Sequence, residues 1–304
     1  MTALVFPERV LYFPITPFDE SGAVHERALD EHLASRLEHR PGGVFIACGT
    51  GEFHALSTAE YQTAVRRGVT AVAGSVPVVA GTGGPLGHAL ECAAIAERNG
   101  ADALLVMPPY LLAGPQEGIR AYVTAIADAT ELPLIVYHRG SAKLTVDSFR
   151  ALAADPRIVG FKDGAGDISL AQEFAIAAGE SGRTDLQLFN GLPTAELSQR
   201  AYRAVGIPLY SSAVFAMAPR IATAWFDAYL AHDDARLDEL ISGFYAPLAR
   251  LRDTTPGYAV SLVKAGVELG GLHVGAVRPP LVQPTPEHLR ALADILEHGG
   301  DLVR

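Results

Sequence analysis

The segments PLIVY (133–137) and IVGFK (158–162), with a helix-length stretch between them, form the unit that decides the fold. Both apolar runs are continuous rather than alternating, which is typical of strands buried on both faces of a parallel sheet. Further runs of this kind are VLYFPIT (10–16), GVFIAC (43–48), PVVAG (77–81), ALLVM (103–107), LQLFN (186–190) and IPLYS (207–211). The chain therefore carries eight candidate strands of one type.

Helix-length segments with apolar residues at a spacing of three to four separate these runs, at 26–39, 58–73, 86–99, 116–129 and 168–179. Eight βα repeats close most naturally into an α/β fold, the (β/α)8 TIM barrel. A doubly wound open sheet is the alternative, but no G-x-G-x-x-G follows the first run, and GTGGPLG (81–87) does not fit that spacing. We predict a barrel over residues 1–230.

After residue 230 the strand pattern stops. Segments 234–253, 257–271 and 286–298 have helical patterns, interrupted by Pro256, by Gly270 and Gly271, and by Pro279 and Pro280. We therefore predict a helical C-terminal extension over residues 231–304.

Composition narrows the class of protein. The chain of 304 residues has 24 basic and 34 acidic residues, a formal net charge of −10. This balance argues against nucleic-acid binding and against a polybasic membrane anchor, and no apolar stretch reaches transmembrane length. Cys48 and Cys92 form neither a disulfide framework nor a CxxC zinc pair, so no metal site is expected. We expect a cytoplasmic protein without nucleic-acid or membrane partners.

Lys162 is the most informative residue at the strand ends. Catalytic groups of a barrel lie at the C-terminal ends of its strands, and Lys162 ends the run IVGFK. Lysine occurs only at positions 143, 162 and 264. Burial lowers the pKa of an ammonium group, so we expect Lys162 to supply a neutral amine for Schiff-base formation. The alternative is a structural ion pair with Asp163 or Glu52.

Three other strand-end residues could act with this lysine. Tyr137 ends the run PLIVY, and its phenol could relay protons or could simply pack. Thr50, in a Gly-Thr-Gly turn, could join the relay or belong to an ordinary tight turn. Arg139 could bind a carboxylate through two hydrogen bonds or form a surface salt bridge.

The remaining polar or flexible strand-end residues are candidates for substrate binding. Glycines beside Thr50 allow backbone amides to approach an anionic ligand. With Arg139, the candidates are Gly49, Gly51, Asn190, Ser211 and Ser212. The segment 278–280, Arg-Pro-Pro, is either a rigid turn or a contact at the mouth of the site.

Several short motifs occur in a specific order, TPF (16–18), TGE (50–52), PPY (108–110), VY (136–137) and GFKD (160–163). In this combination the chain resembles the dihydrodipicolinate synthase/N-acetylneuraminate lyase superfamily over nearly its whole length. The resemblance implies a (β/α)8 barrel with a helical C-terminal region and a homo-oligomer, usually a dimer of dimers. It also implies a lysine that forms a Schiff base with a 2-keto acid.

By position, the resemblance makes Lys162 the nucleophile and Tyr137 the proton relay. It places Thr50 in the hydroxyl-bearing loop and makes Tyr110 the residue that reaches into the neighbouring subunit's site. The sequence also departs from the superfamily pattern, because Gly49 stands where the first threonine of that loop is usual. Ala142 stands at the position of the synthase's substrate-binding arginine.

The stretches GTGEFHALS (49–57), GFKDGAGDI (160–168), NGLPTAE (190–196) and YSSAVF (210–215) resemble the 5-dehydro-4-deoxyglucarate dehydratase branch most closely. That branch converts a dicarboxylic sugar acid, 5-dehydro-4-deoxy-D-glucarate, to 2,5-dioxopentanoate, CO2 and water, with no cofactor beyond its lysine. The segment YHRGSAKLT (137–145) is less typical of it.

Three alternatives remain open. Within the superfamily, the chain could be a dihydrodipicolinate synthase or an aldolase for another 2-keto-3-deoxy sugar acid. A phosphate-binding barrel could use residues 81–84 as an anion loop. Outside enzymology, the chain could be a non-catalytic sugar-acid-binding protein.

Overall fold

The structure, a computed structural model, describes residues 4–110 and 112–304. Parallel strands close into a barrel in the order of the chain, with helices between them, and helices follow the last strand, which confirms the predicted TIM barrel with a helical C-terminal region. The strands are Leu11–Tyr12 (β1), Gly43–Ile46 (β2), Val78–Thr82 (β3), Ala103–Val106 (β4), Leu134–His138 (β5), Ile158–Asp163 (β6), Gln187–Asn190 (β7) and Leu209–Ser212 (β8).

The helices between the strands are Glu26–Leu37 (α1), Thr58–Val72 (α2), Leu86–Arg98 (α3), Gln116–Ala127 (α4), Val146–Ala153 (α5), Ile168–Glu180 (α6) and Gln199–Ala204 (α7). The five segments predicted from sequence correspond to α1–α4 and α6, and their bounds agree to within two residues. Those after the last strand are Val214–Met217 (α8), Pro219–Ala231 (α9), Asp234–Leu240 (α10), Ala246–Arg252 (α11), Tyr258–Leu269 (α12) and Pro286–Leu302 (α13).

Side-chain caps fix several helix starts. The Ser57 hydroxyl accepts from the backbone N–H of Glu60, whose carboxylate accepts from the backbone N–H of Ser57, and these two bonds form a capping box at the start of α2. The Thr145 hydroxyl accepts from Ser148 N at the start of α5, and the Asp167 carboxylate accepts from two backbone N–H groups at the start of α6. Each cap satisfies backbone donors that lack a partner within the first turn.

The chain divides into two compact units. The first comprises Pro77–Ser211 and residues 4–6, and its strands pair in parallel from β3 onward. On β5 and β6, Tyr137 lies opposite Lys162 and His138 opposite Asp163. Since side chains alternate across a strand, this register puts Tyr137 and Lys162 on one face and their two neighbours on the other.

The second unit comprises Pro7–Val76 and Ser212–Arg304. Its strand β1 covers only Leu11–Tyr12 of the predicted run 10–16, because Pro14 lacks a backbone N–H for the ladder. The predicted helix 234–253 is interrupted by one π-helical turn at Ile241–Tyr245. Helix α13 continues past the predicted end to Leu302, and its Gly299 packs against Phe244.

Candidate active site

Lys162 and Tyr137 lie together at the ends of β6 and β5. The Lys162 side chain is 6% exposed and that of Tyr137 is 9% exposed. The Lys162 Nζ atom lies 4.6 Å from the centroid of the Tyr137 ring. An amine over an aromatic face is attracted by the ring when it is protonated and packs against it when it is neutral. The structure thus brings together the two side chains that the sequence proposes as nucleophile and relay.

The phenol of Tyr137 makes hydrogen bonds on both sides. Its Oη donates to the carbonyl oxygen of Gly191 at 2.8 Å and accepts from Arg139 Nη1 at 2.8 Å. Arg139 is an exposed residue, and its Cζ lies 5.8 Å from the Tyr137 ring centroid. A cation that donates to the phenol oxygen stabilises negative charge there, which suits an oxygen that takes up a proton.

Two glycines make room for this pair. A Cβ atom at Gly191 would lie 2.6 Å from Lys162 Cγ and 2.7 Å from Lys162 Cε. At Gly164 it would lie 2.7 Å from Tyr137 Cε2 and 2.9 Å from Tyr137 Oη. Such distances are well inside carbon–carbon contact distance, so both positions require glycine because of close approach. Neither glycine was among the predicted site residues, although each directly follows an apolar strand.

Asp163, the residue after the lysine, faces a different set of partners. Its Oδ2 accepts a hydrogen bond from Tyr202 Oη, and its Oδ1 accepts from Ala165 N at 2.9 Å. Its Oδ1 also lies 3.8 Å from His138 Nε2. Burial and the neighbouring carboxylate raise the pKa of Tyr202, so its phenol stays protonated and donates.

Burial lowers the pKa of His138, so its imidazole is neutral at neutral pH. Its Nδ1 accepts from Leu144 N at 2.8 Å, which leaves the proton on Nε2, towards Asp163. Asp163 and Glu52 are the two acids of the ion-pair alternative for Lys162, and both have other partners. Those of Asp163 are given above, and Glu52 accepts from Lys264 and from Arg278 N.

The substrate-binding candidates of the first unit differ in their surroundings. The Asn190 side chain is buried, and its amide donates to Ala195 O, Ser198 Oγ and Gln199 Oε1 at 3.0–3.2 Å. Asn190 thus organises the loop that carries Gly191. Ser211 is half-buried, and its Oγ lies 3.5 Å from Asn190 O. A substrate-binding role for Arg139, Asn190 and Ser211 stays a prediction.

The candidates of the second unit lie in the turn after β2 and at the end of β8. Gly49 is exposed and Thr50 half-buried, whereas Gly51 is buried and its carbonyl accepts from Thr16 Oγ1 at 2.7 Å. Ser212 is buried, and its Oγ accepts from Phe215 N at 3.3 Å, at the start of α8. The roles proposed for Gly49, Thr50, Gly51 and Ser212 stay predictions.

Tyr110 lies in the loop after β4 and is exposed, as is Leu112. Its proposed contact with a neighbouring subunit stays a prediction. Within the described residues, no group of three or more His, Cys, Asp or Glu side chains has the arrangement of a metal site. None of the helices in residues 4–110 and 112–304 combines the length and apolar character needed to cross a membrane.

Comparisons with known proteins agree with this fold. The profile of the dihydrodipicolinate synthetase family matches residues 6–299. A protein of Streptomyces coelicolor named "Probable 5-dehydro-4-deoxyglucarate dehydratase 2" is 50% identical over 294 residues, which cover 97% of this chain and 90% of that protein. A protein of Bacillus licheniformis named "Probable 5-dehydro-4-deoxyglucarate dehydratase" is 41% identical, over 96% of this chain and 94% of the relative.

Among solved structures, a dihydrodipicolinate synthase of Oceanobacillus iheyensis superimposes with a TM-score of 0.88 at 24% identity. The superposition covers 96% of each chain. At this level of identity the likeness establishes the barrel and its C-terminal helices, and it carries no statement about substrate.

Proposed function

Since the chain belongs to the dihydrodipicolinate synthetase family, we propose that it is a 5-dehydro-4-deoxyglucarate dehydratase that works through a Schiff base on Lys162. The observation that carries this proposal is the position of the Lys162 amine over the Tyr137 ring, in the space that Gly191 leaves open. The names of relatives at 41–50% identity over nearly the whole chain supply the substrate.

The choice of Lys162 among the three lysines follows from their surroundings. Lys143 is exposed to solvent, in the segment between β5 and α5. Lys264 donates to three oxygen acceptors, one of them a carboxylate. Lys162 is buried beside a phenol that can exchange protons.

The reaction begins when the Lys162 amine adds to the C5 ketone. The hydroxyl of the resulting carbinolamine then leaves as water with the proton of the Tyr137 phenol, which gives a protonated imine and a Tyr137 oxygen that can accept a proton. The imine acidifies C4, and the Tyr137 oxygen, or a water that it positions, takes the C4 proton. The electron pair of that C–H bond forms the enamine and then expels the C3 hydroxyl, which leaves as water with one proton. The product of this step is a conjugated iminium ion.

Decarboxylation follows from this electron sink. The bond between C1 and C2 breaks and C1 leaves as CO2. The electron pair of the broken bond stays with C2 and enters the conjugated system. Protonation and tautomerisation of the C2 enol give the aldehyde, and hydrolysis of the imine releases 2,5-dioxopentanoate and the lysine. The sum is one substrate to one 2,5-dioxopentanoate, one CO2 and one water, with no oxidant or reductant.

The substrate carries two carboxylates, while the chain has a net charge of −10. Arg139 is exposed and supplies local positive charge. Its guanidinium is a planar fork of N–H donors, one of which bonds to Tyr137. We propose that this fork takes one carboxylate and that Thr50 joins Tyr137 in the relay. We also propose that the protein is a cytoplasmic dimer of dimers. In this assembly Tyr110 would lie at the neighbouring subunit's site, and the exposure of Tyr110 and Leu112 supports such a contact.

Reduction with borohydride in the presence of substrate tests the proposal. The peptide that contains Lys162 should gain the mass of the reduced adduct, and Lys162→Ala should lose both the adduct and CO2 release. Lys143→Ala makes the same change at an exposed lysine and should keep both. CO2 release by Lys162→Ala at a near-normal rate would refute the proposal. Product formation from pyruvate and an aldehyde, without CO2, would identify a synthase or aldolase instead.

A further inference from the structure

The second unit contains a buried lysine that takes no part in the proposed reaction. Lys264 on α12 is 2% exposed. Its Nζ donates to Glu52 Oε1 at 2.8 Å, to Thr16 O at 2.8 Å and to Ala276 O at 2.9 Å. An ammonium group has three N–H donors, so each of them has an acceptor. We call the cluster of Thr16, Glu52, Lys264 and Arg278 the Lys264 cluster.

Glu52 is the partner that joins this cluster to the turn after β2. Its side chain is 0% exposed, and its Oε2 accepts from Arg278 N at 2.8 Å. Its backbone has φ 56° and ψ 38°, in the left-handed region that a residue with a Cβ rarely occupies. The carboxylate contacts hold this conformation, which turns the chain directly after Gly51.

Thr16 holds the other side of the same turn. Its Oγ1 donates to Gly51 O at 2.7 Å, and its backbone carbonyl accepts from Lys264. Within the turn, Glu52 N donates to Gly49 O at 3.2 Å. Thr50 therefore lies in a turn that is fixed on both sides by residues bonded to one ammonium group.

Arg278 and Phe18 complete the surroundings of Lys264. The Phe18 ring contacts both cations, with its centroid 4.0 Å from Lys264 Nζ and 3.9 Å from Arg278 Cζ. The Arg278 side chain donates to Glu60 and to Ala55 O, in the segment that follows the turn. The sequence left Arg278 open between a rigid turn and a contact at the site, and the structure shows it bracing the segment after Glu52.

A buried ion pair contributes little net free energy to the stability of a fold. The free energy needed to remove the two charges from water is seldom offset by their attraction, so we explain the pair by the geometry that it enforces. Burial lowers the pKa of Lys264 to about 8 while Glu52 opposes the shift, so the ammonium form is the main one at neutral pH.

We propose that Lys264 and Glu52 are positioning residues that hold Thr50 in place for the reaction. The inference rests on the proposed function, in which Thr50 belongs to the proton relay. It adds the prediction that the chemistry depends on a lysine that forms no bond to substrate. It also gives the TPF and TGE motifs a common role, because both contribute residues to this cluster.

A double-mutant cycle with Thr50 tests the proposal. Lys264→Met alone leaves the Glu52 carboxylate buried without its cation, so the pair is best replaced together, as Glu52→Gln/Lys264→Met, which removes both charges. The pair variant should lower kcat by about 10²-fold, the effect of displacing a catalytic group by about 1 Å, with a smaller change in KM. In a Thr50→Val background the same replacement should change kcat by no more than about twofold, because the group that it positions is already gone.

Lys143→Met is the matched control, because it makes the same change at an exposed lysine, and it should leave kcat unchanged. Hydrogen exchange provides a readout that does not depend on activity, and amides in the peptide covering residues 49–53 should exchange faster in the pair variant. Equal losses of kcat in both Thr50 backgrounds, full activity of the pair variant, wild-type kcat in Thr50→Val or unchanged exchange would each overturn the proposal. Failure of the proposed function looks different, because the wild type itself would then trap no adduct on Lys162.

Discussion

Replacing Gly191 with alanine puts one methyl group where the Lys162 side chain already lies. The new Cβ would be 2.6 Å from Lys162 Cγ, 2.7 Å from Lys162 Cε and 2.9 Å from Asp163 O. Carbon atoms in contact normally stay about 3.5–4.0 Å apart. The lysine stem must therefore move by about 1 Å, because the backbone oxygen of Asp163 blocks the other direction.

The size of the effect follows from this displacement. A catalytic group displaced by about 1 Å loses on the order of 10²-fold in rate, which corresponds to about 2.7 kcal/mol of transition-state stabilisation. The Gly191 carbonyl also accepts from Tyr137 Oη, so the substitution disturbs both members of the pair. We expect Gly191→Ala to release CO2 about 10²-fold more slowly and to trap the borohydride adduct more slowly as well.

Gly179→Ala provides the control for this experiment. Gly179 lies in α6 and is exposed, and a Cβ there meets nothing within 4 Å. This variant should keep wild-type activity and gain helix stability, since alanine is favoured over glycine by about 1 kcal/mol within a helix. Circular dichroism should show that both variants are folded. A folded Gly191→Ala enzyme with wild-type trapping and turnover would refute the assignment of Lys162 and this description of its surroundings.

Other substitutions test the relay and the ion pair of Glu60. Tyr137→Phe removes the proton-transfer oxygen and should slow CO2 release by about 10²–10⁴-fold; a rate within a factor of two of wild type would exclude the phenol from proton transfer. The hydrogen bonds from Arg278 lower the pKa of Glu60 from 4.5 to about 2, and the Glu60 side chain is 23% exposed. A lowered carboxyl pKa contributes stability above about pH 4.5 that is lost as the pH falls towards 2, on the order of 3 kcal/mol before solvent screening. Chemical denaturation between pH 6 and 3 should therefore show a flatter decline of the unfolding free energy in Glu60→Gln, and parallel curves would contradict this account.

The alternation of strands and helices could be predicted from sequence because it depends on local patterns. Continuous apolar runs mark strands covered on both faces, and the meeting of Tyr137 with Lys162 follows because each ends one of two neighbouring parallel strands. The hydrogen bond from Arg139 to Tyr137 could also have been predicted, because side chains two residues apart in an extended chain point to the same side. The roles predicted for Arg139 were only carboxylate binding and a surface salt bridge.

Other contacts join residues that are distant in the sequence, and one sequence does not reveal them. Gly191 is separated from Tyr137 by 54 positions and Glu52 from Lys264 by 212. No local pattern distinguishes Gly191 from a glycine in an ordinary turn. The only local signal for the buried ion pair is Lys264 itself, a charged residue within the apolar helix YAVSLVKAGVEL.

Lysine is rare in this chain, yet it occupies two buried positions where arginine could not replace it. Arginine supplies nearly all of the 24 basic residues, but its planar guanidinium cannot match three acceptors arranged around one point, and it is not deprotonated in proteins. Lys264 uses the compact ammonium group, whereas imine formation at Lys162 needs an amine that can lose its proton. Imine formation at Lys264 would leave its nitrogen with at most one N–H donor, so at least two of its three acceptors, Thr16 O, Glu52 Oε1 and Ala276 O, would lose their hydrogen bond. An adduct trapped on Lys264 instead of Lys162 would therefore mean that the Lys264 cluster opens during turnover, which contradicts the positioning role argued for it.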